Sequence, residues 1–350
     1  MRFDQAYNFH GLVGLQVQTD SSFAADYFNA EYGPAASTNP TGSPTVSLRW
    51  TESSLPLRPG PEYRLKIHKG LARWYYHLRF EPEGILIEGA GNRMAVPMVH
   101  HMLVHGCLRY LCSAQDAMML HAAALAQGER SLVFAGSGGV GKTTVSSIVL
   151  DQGEPDWQLH ADDYVFLGSE GDTYSYPSRA HLYADFLHGV PSASSKLSAR
   201  QRAHLNLFGT VRRMSGERIK WPLRVEPRLL WPERVSAPHA KLQALLLLES
   251  GRAEEISLEP ISDSAALVDK LMKINFYEAR HTIALIEGFH SAPEYPEAWK
   301  SREREALQRA LDKAPAYRLS IPQTASIDRA KLVSILQQLV TVEHGSRILD

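Results

Sequence analysis

Residues 136–143, Gly136-Ser137-Gly138-Gly139-Val140-Gly141-Lys142-Thr143, follow the pattern G-x-x-x-x-G-K-[ST]. In such a loop the glycines let successive backbone N–H groups turn towards a phosphate with no side chain in the way. Lys142 would reach the β- and γ-phosphates, and the Thr143 hydroxyl would take one position on Mg²⁺. Thr144 opens the helix that follows, whose N-terminus adds partial positive charge to the anion site. The spacing therefore predicts a bound nucleoside triphosphate at 136–144. The chain has no guanine-reading Asn/Thr-Lys-x-Asp element, which favours ATP.

A second group of residues bears on what happens to that triphosphate. Asp162 and Asp163 end the run His160-Ala161-Asp162-Asp163, twenty residues after Lys142. One carboxylate, Asp162 with Thr143, would hold Mg²⁺. The other would accept the proton of an attacking hydroxyl, and either acid fits either role. Neighbouring strand residues point to opposite faces, so both acids reach one ligand only if the strand stops at Ala161. A cation is also needed against the charge that develops on a transferred phosphoryl group. Arg179, Arg218 and Lys220 are the candidates by position. His101 and His105 have metal-ligand spacing but no third ligand beside them, so a helix surface is expected there.

The elements that must position these residues are legible around them. Ser131–Ala135 reads as a strand into the loop and Thr144–Asp151 as the helix out of it. Met119–Leu125 reads as one strand, and the turn Gln127-Gly128-Glu129-Arg130 makes it a hairpin ahead of the loop. Trp157–Ala161, Tyr164–Leu167, Tyr174–Ser178, Leu242–Glu249, Ile256–Pro260 and Pro315–Ile321 read as further strands. Helices are expected at Ser264–Asn275, started by Ser262 and Asp263, and at Asp328–Thr341. Upstream, residues 1–33 read as strands, and most of Gly33–Pro61 as loop around a strand at Thr45–Trp50. Three strands fall within Arg64–Glu88, and a helix over Val96–Ser113. Residues 1–115 are thus expected to form a β-rich module, with 116–350 a second domain. That domain carries a basic insertion at about 184–240, either a solvated surface or a lid. Within it, residues 200–234 hold nine basic residues against three acidic ones.

Composition limits the partners. The 350 residues are 44% hydrophobic and 21% charged, with a formal net charge of −1. That balance argues against a general nucleic-acid or membrane-surface binder. The N-terminus lacks an apolar run of signal-peptide length, and no uncharged stretch approaches the ~20 residues that span a bilayer. The two cysteines, Cys107 and Cys112, lie in an apolar helical pattern and are expected as buried thiols in a reducing cytoplasm.

Three motifs in order resemble the HPr kinase/phosphorylase-like family, whose phosphate-loop domain is related to that of phosphoenolpyruvate carboxykinase. They are His121 in Leu120-His121-Ala122-Ala123-Ala124-Leu125, the loop Gly136–Thr143, and Ala161-Asp162-Asp163. The likeness covers residues 119–170, with a looser one over the strands at Leu242–Glu249 and Ala316–Ser320. It implies an α/β fold, a P-loop kinase domain of the HPr kinase/phosphoenolpyruvate carboxykinase type behind the β-rich N-terminal module. By the same resemblance His121 approaches the transferred phosphate or orients the acid pair, and Asp162 and Asp163 divide metal binding and base work. Two departures limit it: no Glu-Ile-Arg-Gly-Leu-Gly-type signature follows the acids, and Thr143-Thr144 stands where family members carry Ser-Glu. The chain more closely resembles the divergent HPr-kinase-related branch, which includes peptide serine kinases.

The expectation is therefore a cytoplasmic, ATP- and Mg²⁺-dependent kinase with a hydroxyl acceptor. Serine on a peptide or protein comes first and a small-molecule alcohol second. The rival is a nucleotide-dependent binding or switch protein with little turnover. Neither nucleic acid nor membrane is expected as a partner, and a homo-oligomer is left open.

Overall fold

The computed structural model describes residues 1–350 apart from 39–43, 54–63, 69–70, 185, 217–220, 235–237, 252–253, 288–295, 323–326 and 342–350. It is mixed α/β, with several sheets. Two compact units are present, Met1–Met119 with Asn275–Ala306, and Leu120–Ile274 with Leu307–Asp350. The first border falls near the expected cut after 115, but residues 275–306 belong with the N-terminal part. Among the described residues no helix is long and apolar enough to cross a membrane.

The first unit begins with β1 (Phe3–Phe9) and β2 (Val13–Thr19), then α1 (Ser22–Tyr32) and β3 (Ala36–Ser37). It continues through β4 (Thr45–Glu52), β5 (Arg64–His68), β6 (Ala72–Glu81) and β7 (Gly84–Gly91). These strands form one mixed sheet in the order β3-β1-β2-β4-β7-β6-β5. The helix α1 corrects the expectation of strands throughout 1–33. Its aromatic residues favour strands by composition. Yet Ala24, Tyr27, Phe28 and Tyr32 recur at helical spacing on its buried side, and Ser21 caps it by accepting from the Ala24 N–H. The expected helix over Val96–Ser113 is present as α2 (Val96–Val99) and α3 (His105–Ser113), joined by a π turn at His100–Val104. Of the two histidines expected on the helix surface, His101 is exposed and His105 is not. His100 and His105 are buried, and the tyrosine hydroxyls of Tyr27 and Tyr32 sit 2.9 and 2.5 Å from the two His100 ring nitrogens. Cys107 and Cys112 are buried free thiols, held protonated by burial.

From β8 (Ala117–Leu120) the chain enters the second unit, with β9 (Ala122–Gln127), β10 (Arg130–Ala135) and α4 (Lys142–Gln152). Met119–Leu125 is thus two strands broken at His121, and not one. Then follow β11 (Trp157–Ala161), β12 (Val165–Gly168), β13 (Asp172–Ser175) and β14 (Ala180–Leu182). The basic stretch folds as α5 (Phe186–Gly189), α6 (Ala193–Lys196), α7 (Ala199–Met214), β15 (Leu223–Val225) and α8 (Pro227–Leu230). The chain ends with β16 (His239–Ser250), β17 (Ser257–Pro260), α9 (Ser264–Ile286), α10 (Glu297–Leu311), β18 (Ala316–Ile321) and α11 (Arg329–Thr341). The helix α10 had no counterpart in the sequence reading. Asp263 and Asp328 cap α9 and α11 through the N–H groups of Ala266 and Lys331.

The strands run in the order β11-β9-β10-β16-β13-β12, and β18 adds to β16. β10, β16 and β18 are parallel, and β9 is antiparallel to both β10 and β11. Leu125, Leu132, Phe134, Leu159, Leu246 and Leu319 join one core with Ile148 and Val149 of α4 and Leu332 and Leu336 of α11. Burying side chains of this size contributes about 1.5–3 kcal/mol each. That core anchors the strand before the glycine-rich loop and the helix after it.

Candidate functional site

Strand register brings the chemistry-bearing residues to one edge of the sheet. Ala135, the last residue of β10, lies opposite Ala122, the first of β9, and Ala161, the last of β11, lies opposite Ala124. His121, just before β9, therefore meets Gly136, just after β10, and the acids just after β11. β11 stops at Ala161, so the rule that alternates strand side chains between faces no longer applies to the pair. The C-terminal end of parallel strands is also where α/β sheets bind ligands.

The loop has the geometry its glycines allow. Gly139 and Gly141 adopt φ of +83° and +103°, in the left-handed region that side chains disfavour. Gly136 lies against β16, where an added Cβ would stand 3.1 Å from the Leu248 carbonyl oxygen. Gly141 is the N-cap of α4, and no side chain caps that end. The first-turn amides, which have no partner within the helix itself, thus open onto the loop. Ser137, Gly138 and Gly139 are exposed, Val140, Thr143 and Thr144 are half-buried, and Lys142 is buried.

Lys142 turns back over the loop. Its Nζ donates to the Gly136 carbonyl at 3.0 Å and lies 3.3 Å from His121 Nε2. The same Nε2 is 3.1 Å from Asp163 Oδ1. With a proton on Nε2, His121 donates to Asp163; without it, the nitrogen accepts from Lys142. Tyr164 covers the imidazole, with ring centroids 5.2 Å apart.

The two acids have opposite surroundings. Asp162 is buried, hydrogen-bonded to the Thr143 side chain, and accepts from the His181 N–H at 3.4 Å. Burial, reinforced by the charge on Asp163, pushes its carboxyl up to about 6, against the pull of Thr143, the His181 N–H and Lys142. Burial opposes ionisation of Asp163 as well. There the His121 hydrogen bond and charge, with His181 and Lys142, prevail and hold it well below the usual carboxylate range. The Asp163 side chain is 29% exposed, so it is the acid that meets solvent.

Among the described residues no cluster of three or more His, Cys, Asp and Glu side chains surrounds a common point. A hydroxyl and one carboxylate, Thr143 with Asp162, nevertheless suit Mg²⁺. That ion keeps several waters and takes few protein ligands beside substrate phosphates. A carboxylate pushed up by burial is also one that gains from a cation.

The other candidate cations are less directly placed. Arg179 is half-buried just before β14, whereas the positive group acting on Asp163 from that strand is His181. Arg218 and Lys220 lie outside the described residues. Sequence reasoning passed over His181 and Tyr183 on and after β14, and Arg212 on α7, whose guanidinium lies 5.1 Å from the Tyr183 ring centroid. The alternation His181-Leu182-Tyr183 soon after the acids was the available signal. No protein-family model matches the chain, and no curated protein matches it.

Proposed function

We propose that the chain is an ATP-dependent phosphotransferase built on a P-loop kinase domain, with a β-rich N-terminal module. It transfers the γ-phosphate to a hydroxyl, serine on a peptide or protein first among acceptors. The observation that carries this reading is the meeting of His121, Lys142, Asp162 and Asp163 at one glycine-rich loop. Binding a nucleotide needs the loop; two carboxylates of opposite character, one paired to a histidine, suit chemistry on it.

In this mechanism the loop amides and Lys142 hold the β- and γ-phosphates. Thr143 and Asp162 would hold Mg²⁺, which would supply positive charge against the phosphates. The acceptor hydroxyl oxygen forms a bond to the γ-phosphorus as the bond from that phosphorus to the β-phosphate oxygen breaks, and ADP leaves with the electron pair. Asp163, kept ionised by His121, orients the hydroxyl and takes its proton. A loose transition state needs only late proton transfer, so a weakly basic carboxylate suffices. Asp162 is the metal-side acid because its partner is Thr143, and Asp163 the base-side acid because its partner is His121.

The test is ADP formation with Mg-ATP and a panel of serine peptides. Asp163→Asn should lower turnover about 10²–10⁴-fold, the range of general-base contributions. Full phosphotransfer by both Asp162→Asn and Asp163→Asn would overturn the proposal.

A further inference from the structure

The second unit carries a basic and partly apolar face that leads into the candidate site. The helix α7 holds Arg200, Arg202, Arg212 and Arg213 and contains no Asp or Glu. Leu205 and Gly209 form its buried side. A Cβ on Gly209 would stand 2.5 Å from the Ala184 Cβ, so the glycine is what lets the helix settle onto the residue after Tyr183. Three residues on, Arg212 covers the Tyr183 ring. β14 continues the path, since β15 sets Arg224 opposite His181, and the His181 N–H donates to Asp162. Asp163, Arg212 and Arg224 all act on the Tyr183 phenol, which puts the three charges around one side chain. A continuous layer thus runs from the outer helix to the carboxylate pair.

The outward side of that layer is apolar where a solvated helix would be polar. Leu207 is 60% exposed and Met214 84%, two turns apart on one face of α7. Trp221 and Leu229 follow at 52% and 43%. Among the described residues, four of the nine large exposed apolar side chains fall within 207–229, a concentration that suits an interaction surface.

We propose that the face formed by α7, β14 and β15 docks the acceptor, and that the acceptor presents an acidic polypeptide segment with apolar side chains. This rests on the phosphotransfer reading above. Charge complementarity selects the acidic partner. Leu207 and Met214 supply aliphatic surface for apolar side chains of such a segment. The inner end of the layer is the carboxylate pair, where the proposed reaction takes an uncharged serine hydroxyl.

The test is binding of two labelled synthetic peptides to the full chain by fluorescence anisotropy. One alternates Glu and Leu around a central serine, and the other carries Lys in place of Glu. Mg-ATP affinity is measured separately by calorimetry. The acidic peptide should bind about tenfold or more tightly than its basic counterpart and weaken with salt. Leu207→Ser with Met214→Ser, and separately Arg213→Glu, should each weaken it about tenfold with Mg-ATP affinity unchanged. These side chains are exposed, so the variants keep the fold. Equal binding of both peptides, no binding of either, unaltered binding by the variants, or preferential binding of a single-stranded RNA oligonucleotide would overturn the proposal. Peptide binding without any Mg-ATP binding would instead sink the phosphotransfer reading and leave a peptide-docking face.

Discussion

Each unit buries a cluster of charged side chains, and the two are built differently. In the first unit Arg109 and Glu303 form a two-pronged pair at 2.7 and 2.5 Å, with side chains 2% and 0% exposed. The remaining valences are also used. Arg109 donates to the Asn275 carbonyl, while Asn275 Nδ2 and Trp299 Nε1 donate to the two Glu303 oxygens. Phe276 and Trp299 cover the guanidinium. In the second unit His121 Nε2 is shared between Asp163 and Lys142, and Asp162 carries a carboxyl lifted to about 6. A fully satisfied buried pair fixes architecture; a carboxyl raised by its surroundings beside a glycine-rich loop is a candidate for function.

Breaking one partner in each cluster should separate the two roles. Arg109→Met strands a buried carboxylate and should cost about 3–5 kcal/mol of stability, measured by urea unfolding. Any folded fraction should bind Mg-ATP normally. Lys142→Met should do the reverse, lowering kcat/KM about 10²–10³-fold with little loss of stability. If Lys142→Met unfolds the chain as Arg109→Met does, the comparison fails.

A subtler separation uses pH. The Asp162 carboxyl is raised in the folded state, so its favourable contribution is present below about pH 4 and is lost as pH rises through about 6. Asp162→Asn should therefore stabilise the ligand-free chain at pH 7, by roughly 1–3 kcal/mol, and by little at pH 4. Asp163 has the opposite sign: its contribution is present above about pH 4 and disappears in acid. A stabilising Asp162→Asn that also abolishes turnover would show a residue kept for function at the expense of stability. A destabilising one would place Asp162 with Glu303.

The smallest effect is expected at a third, exposed cluster, where Asp172 meets Lys241 at 2.7 Å and His239 at 2.8 Å. Lys241 and His239 side chains are 58% and 50% exposed, so Lys241→Ala should change stability by about 1 kcal/mol or less. A larger loss would mean that solvent screens these charges less than their exposure implies.

Legibility in the sequence followed the range of the interactions. The loop, its strand and helix, the hairpin before it and the acids at the end of β11 are set by local pattern and glycine content, and all were readable. His121 needed the family resemblance, since only the register of β9 against β10 and β11 brings it to the loop. The break at His121 was hidden inside an unbroken apolar run. The helix α1 was missed because its aromatic residues favour strands, and only its burial on the first unit decides otherwise. Arg109 and Glu303 are 194 residues apart, and no local signal joins them. His181 and Tyr183 escaped because their importance comes from the position of β14 beside Asp162, not from a motif.

Calorimetric titration of Mg-ATP into the wild-type chain and Lys142→Met tests the central claim most directly. One equivalent should bind the wild type, and the Lys142→Met variant, folded by circular dichroism, should bind at least about tenfold more weakly, the equivalent of ~1.4 kcal/mol. No binding to the wild type, or equal affinity in the variant, would contradict the assignment of Gly136–Thr143 and its buried lysine as a triphosphate site.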